Sequence, residues 1–100
     1  EVVRFKIQDK FKYKVPHMGW NSVRKTRDSK LMLEIPDDEE FYFVHSYYVQ
    51  AKNSVDVINY TEYEFQFCSA MEHENIFGVQ YHPEKSHDAG ELLLANFVQL

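Results

Sequence analysis

The chain has 100 residues, which fits one small domain, and its net charge of −5 argues against a nucleic-acid binder. Three glycines and three prolines exclude a collagen-like or low-complexity chain, and no apolar run approaches the ~20 residues that cross a bilayer. The lone Cys68 cannot close an internal disulfide and fits a reducing, cytoplasmic setting. Glu1 opens the chain with no signal-like segment, so it reads as a mature fragment or a piece of a longer chain. Aromatic residues at 16% supply large buried areas, enough for one sheet carrying a helix. Charge is uneven: residues 1–30 are net +6 and residues 31–100 net −11. The basic third is either a solvated face or a docking surface for an acidic or phosphorylated partner.

In chain order, Val3, Phe5 and Ile7 alternate with Arg4 and Lys6, the period of a half-buried strand. A turn at Asp9-Lys10 leads to a second predicted strand, Phe11 to Val15, which Pro16 stops because it has no N–H. Residues 17–40 read as loop, carrying the cluster His17-Met18-Gly19-Trp20-Asn21 and closing on Pro36-Asp37-Asp38-Glu39-Glu40. Phe41 to Val49 is almost unbroken aromatic and β-branched sequence, which predicts a strand buried on both faces. Val55 to Thr61 and Phe65 to Met71 are further strands, and a turn at Glu72 to Asn75 predicts a hairpin of 65–71 with 76–82. Ala89, Leu92, Leu93, Asn96, Phe97 and Leu100 lie on one face of a 3.6-residue period, a C-terminal helix capped by Ser86 or Asp88. The fold class expected is α/β, with mostly antiparallel or mixed strands plus that helix.

His82-Pro83-Glu84 falls where the last strand ends and the helix has not begun, the kind of loop that carries catalytic side chains. Histidine suits proton transfer near neutral pH, and a carboxylate two positions on can turn back to fix its tautomer. A turn that only leads into the helix explains the same three residues. A metal reading draws on His82, Glu84 and His87 with His45 or His17, but neither the His-Glu-x-x-His spacing nor a cysteine pair occurs, so no metal is assigned. Cys68 sits inside a strand with no glycine-rich elbow beside it, and is read as a packing residue. Trp20, beside Gly19 and Asn21, is either a displayed interface anchor or a lid over a small core.

Three separated stretches give a sharper reading. Val15-Pro16-His17-Met18-Gly19-Trp20-Asn21, then Phe41-Tyr42-Phe43-Val44-His45-Ser46-Tyr47, then Asn75 to Ser86 through His82-Pro83-Glu84-Lys85 resemble class I (triad) glutamine amidotransferases. Within that family their order and spacing are most similar to the glutaminase subunits of imidazole glycerol phosphate synthases. The resemblance runs from about Val3 to Leu100 and implies that residues 1–100 are the C-terminal part of one amidotransferase domain. The family's nucleophilic cysteine and oxyanion loop then lie upstream, and Cys68 does not match the nucleophile's motif. A piece of this extent is expected to be inactive by itself.

By resemblance, His82 is the general acid/base and Glu84 its orienting carboxylate, while Ser46 and Tyr47 match the stretch whose backbone helps hold glutamine. Trp20, Asn21, Tyr42 and Lys85 match positions at or near the contact with a synthase (cyclase) subunit, the partner of a heterodimer. The implied activity is hydrolysis of glutamine to glutamate and ammonia for histidine biosynthesis, with no cofactor, nucleic acid or membrane. Two alternatives stay open: a paralogous amidotransferase serving a surface-polysaccharide sugar pathway, and a non-catalytic interaction module. One departure is Glu64, where the family commonly has glycine after Thr-Glu-Tyr, so the turn after Tyr63 must form without one.

Overall fold

The computed structural model describes residues 1–100. Strands β1 (Val2–Arg4), β2 (His17–Lys25), β3 (Glu39–His45), β4 (Tyr47–Val49), β5 (Val57–Tyr63), β6 (Phe65–His73) and β7 (Ile76–Val79) precede one helix, α1 (His87–Val98). The strands order as β1-β4-β6-β5-β2-β3, with β7 also paired to β6. Every pairing is antiparallel, and the helix closes the chain, as the sequence predicts. No helix is long and apolar enough to cross a membrane.

Side chains from both halves of this order meet in one core that includes Phe5, Val23, Phe41, Phe43, Ile58, Phe67, Tyr81 and Leu93. The β6–β7 hairpin forms with different bounds than expected: β6 runs on to His73, opposite Ile76, so the turn is only Glu74-Asn75, and β7 ends at Val79, opposite Ala70, and not at residue 82. The helix buries Leu93 and half-buries Ala89 and Leu92, while Phe97 and Leu100 stay exposed. Asn96 anchors its far end by donating to the carbonyls of Leu31 and Leu33, both at 2.9 Å.

Four further expectations need correction. Residues 11–15 are turn and coil, not strand, because the Asp9 carboxylate takes the amides of Phe11 and Lys12, both at 3.2 Å, and leaves Phe11 in solvent. Residues 17–25 are a strand, not loop. Its inward positions are His17, Gly19, Asn21 and Val23, so the period-2 alternation is there but mostly polar. The predicted strand 41–49 breaks at Ser46: β3 pairs with β2 as far as His45, and β4 turns away to pair with β1. Phe41 and Phe43 are fully buried, whereas Tyr42 and Val44 are only half-buried. The first strand ends at Arg4, although Phe5 and Ile7 still reach the core.

The missing glycine at position 64 has a structural answer. Tyr63 pairs with Phe65 across the β5–β6 hairpin, and Glu64 between them takes left-handed backbone, with φ at 67°. A side chain there costs roughly 1–2 kcal/mol. The Glu64 carboxylate accepts the N–H groups of Gln8 at 2.9 Å and Asp9 at 2.8 Å, charge-assisted bonds that offset the strain and tie down the loop after β1.

Candidate active site

The turn from His82 to Ser86 is held from three sides. Tyr81, buried just before it, stacks on Phe41 with centroids 4.2 Å apart and donates its hydroxyl to Asn59 at 2.8 Å. The His82 N–H donates to the Tyr42 carbonyl on β3 at 2.9 Å. Pro83, whose fixed φ suits the first position of a helical turn, begins a 3₁₀ turn over Pro83–Lys85. Ser86 stands in the N-cap position of α1 but caps nothing with its side chain. Its buried hydroxyl instead accepts the Tyr42 N–H at 3.0 Å and donates to the His82 carbonyl at 2.6 Å.

That frame brings His82 Nδ1 to 3.0 Å from Glu84 Oε2, with both side chains partly open to solvent. The Glu84 carboxyl is held below its usual range, first by its own backbone N–H and then by the His82 ring. An ionised Glu84 accepts a proton-bearing Nδ1, which leaves the lone pair on Nε2. Nε2 has no partner within the chain, so the pair can take a proton from a group brought against that side.

Helix α1 reaches this turn because residue 90 is glycine. A Cβ at Gly90 would stand 1.9 Å from the Pro83 carbonyl oxygen, a backbone atom that cannot step aside without moving the turn. Gly90→Ala is therefore expected to displace His82 from Glu84 and to lower the melting temperature, although alanine has the better helix propensity by ~1 kcal/mol. Melting temperature and the NMR shifts of the His82 ring check this: if both are unchanged, the close contact is no constraint on the pair. From the sequence alone Gly90 went unnoticed and Ser86 read only as a helix cap. The available signal was a glycine on the core side of an otherwise well-formed helix, a costly choice without a close neighbour.

The other candidate residues fall in two groups. Trp20 and Tyr42 are cross-strand partners on the outer face of β2–β3, with centroids 5.9 Å apart, and Trp20 also stacks on His87 at 5.2 Å. Trp20 is 44% exposed, a displayed ring and not a core lid. Lys85 is exposed on the turn that docks against Tyr42. Asn21 points the other way: its amide bonds the His17 ring at 3.2 Å and the Glu62 carbonyl at 2.9 Å. Ser46 and Tyr47 follow directly on β3, the strand whose Tyr42 holds His82.

Cys68 is buried, and burial pushes its thiol upward, away from the thiolate a nucleophile needs. His17 and His45 bond each other at 2.9 Å, and no three His, Cys, Asp or Glu side chains gather as metal ligands do. The His17–His45 contact is the third feature that the sequence reading missed. It pairs residues 28 apart across β2 and β3, with no local signal.

A family model described as glutamine amidotransferase class-I matches residues 2–100. Imidazole glycerol phosphate synthase subunit HisH 2 of Methanococcus maripaludis is 46% identical over 99% of this chain and 48% of its own length. The corresponding HisH subunit of Leptospira interrogans is 48% identical over 86% of this chain and 42% of its own. That of Nitrosospira multiformis is 51% identical over 88% and 41%. The chain thus spans about half the length of the curated relatives it matches.

Proposed function

The chain belongs to the class-I glutamine amidotransferase family, and from that membership we propose that it is the C-terminal half of a glutaminase. The reaction is hydrolysis of glutamine to glutamate and ammonia, and the ammonia passes to a cyclase subunit that forms imidazole glycerol phosphate in histidine biosynthesis. The observation that carries this reading is the His82–Glu84 contact of 3.0 Å on a turn held by β3 and α1. In the whole protein a thiolate supplied by the upstream half attacks the glutamine side-chain amide. The C–N bond breaks as ammonia leaves with a proton from His82, and water then hydrolyses the glutamyl thioester with His82 as base. Glu84 keeps Nε2 aimed at the reacting atoms throughout. Ser46 and Tyr47 lend backbone groups to the substrate.

The docking face in this reading is Trp20 with Tyr42 and Lys85, and Asn21 lies directly behind it. An exposed tryptophan stacked on a histidine beside a catalytic turn suits an anchor that a partner covers. Trp20→Ala in the full-length protein should therefore weaken cyclase binding by roughly 1–4 kcal/mol and reduce cyclase-stimulated glutamine hydrolysis, with the melting temperature little changed. Titration of the cyclase against the variant, followed by ammonia release, measures both. A drop of many degrees in melting with normal stimulation would reject the docking role.

A further inference from the structure

Asn21, His17, His45 and Tyr47 form one continuous hydrogen-bond chain, and its direction can be assigned throughout. The Tyr47 carbonyl can only accept, so the His45 Nδ1 that lies 2.8 Å away carries the proton. The His45 Nε2 then accepts from His17 Nδ1 at 2.9 Å, and His17 Nε2 accepts from the Asn21 amide at 3.2 Å. The second amide proton of Asn21 goes to the Glu62 carbonyl at 2.9 Å, and its oxygen takes the Ser22 N–H at 2.8 Å. Every donor meets an acceptor only if both imidazoles are neutral. Burial lowers both rings below the ordinary histidine range, His17 to about 4, so neutrality holds around pH 7.

The rings cannot turn away from these bonds. His17 lies between the faces of Tyr63 at 4.0 Å and Phe43 at 4.9 Å, each within 26° of parallel. His45 is packed by Phe5 at 5.1 Å and Phe67 at 5.2 Å. A buried imidazole and a half-buried one set among aromatics are an expensive way to fill space, since each brings polar atoms that must be satisfied. What this cost achieves is visible at the far end of the chain. The Phe5 N–H bonds the Ser46 carbonyl, so the next pair, Arg4 with Tyr47, is a non-bonded pair of the antiparallel ladder. Its N–H and C=O point away from β1, and the His45 bond fixes the Tyr47 peptide on that side.

We propose that His17 and His45 are positioning residues for the glutamine subsite, holding the Ser46–Tyr47 backbone in the orientation that receives the substrate. This rests on the glutaminase reading above and adds to it two residues whose ring nitrogens are all bonded within the chain. The chain starts at Asn21, next to Trp20, so it also joins the docking face to the subsite by fixed bonds.

Two variants of the full-length protein, assayed in complex with the cyclase, split the His45 ring into its halves. His45→Asn can still donate to the Tyr47 carbonyl, whereas His45→Gln keeps only the acceptor for His17. The expected result is a KM for glutamine raised about tenfold in His45→Gln with kcat within about threefold, and a KM near wild type in His45→Asn. Equal shifts in both, or none in either, would overturn the proposal. Nitrogen NMR of the wild-type rings tests it without any substitution: both should carry the proton on Nδ1, and an Nε2-protonated ring at either position would overturn it even if a variant fails to fold. His82→Ala serves as the control. Lost turnover there with an unmoved KM in the His45 variants rejects this inference alone, while a wild-type complex that hydrolyses no glutamine rejects the glutaminase reading and the subsite with it.

Discussion

His82→Ala in the full-length protein is expected to lower glutamine turnover by roughly 10²-fold or more, the usual loss when a positioned proton-transfer group is removed. Both halves of the reaction need it: ammonia leaves poorly without a proton, and water attacks the thioester poorly without a base. Glu84→Gln should cost less. An amide at that position can still accept from Nδ1 through its oxygen, but it no longer stabilises the imidazolium that forms during transfer. Glutamine binding should survive in both, because neither side chain is placed on the Ser46–Tyr47 backbone. Glutamate production at saturating glutamine, measured with the cyclase present, decides the matter. A His82→Ala protein with unchanged turnover would remove the pair from the chemistry and leave the turn a structural link between β7 and α1.

The parts of this fold that were legible in the sequence are those where the hydrophobic period carries the structure. Phe77 and Val79 just past the hairpin turn, and Ala89-Leu92-Leu93 on one helical face, are apolar positions that directly mark the core. His82 and Glu84 were legible for a different reason, since two residues in one turn need no knowledge of the rest of the chain to meet. β2 was not legible. Its inward row is His17, Gly19 and Asn21, which reads as polar loop until β3 and β5 supply the partners that satisfy it. The break at Ser46 was hidden likewise, because aromatic residues continue across it while the pairing partner changes from β2 to β1. Ser86 looked like a helix cap, the commonest use of serine there, but its hydroxyl is consumed by Tyr42 and His82. In each case the missing information was a contact between distant residues.

Acidification should destabilise the protein through His17. Its folded pKa is about 4, because the ring is buried and stands beside His45, against the ordinary 6.5 of the unfolded chain. Between those values the unfolded state binds a proton that the folded state refuses, so folding loses stability as pH falls. The loss is negligible well above pH 6.5, grows by ~1.4 kcal/mol for each pH step below it, and reaches about 3 kcal/mol near pH 4. His45, also lowered by burial first of all, works in the same direction. His73 works against it, since its hydrogen bond to Asp56 raises its pKa, but that pair is exposed at the surface. The structural reason for the loss is the hydrogen-bond chain itself: a second proton on His17 turns Nε2 into a donor facing the Asn21 amide, 3.2 Å away. His17→Phe keeps an aromatic ring between Phe43 and Tyr63 and removes the titrating group, though it leaves the His45 Nε2 without its donor. The variant should therefore be less stable than wild type at pH 7 yet flatter in its pH dependence, so that the two curves converge toward pH 4. Urea unfolding of both proteins at half-unit steps from pH 7 to pH 4 gives the comparison. Parallel curves would show that His17 is not the group that titrates.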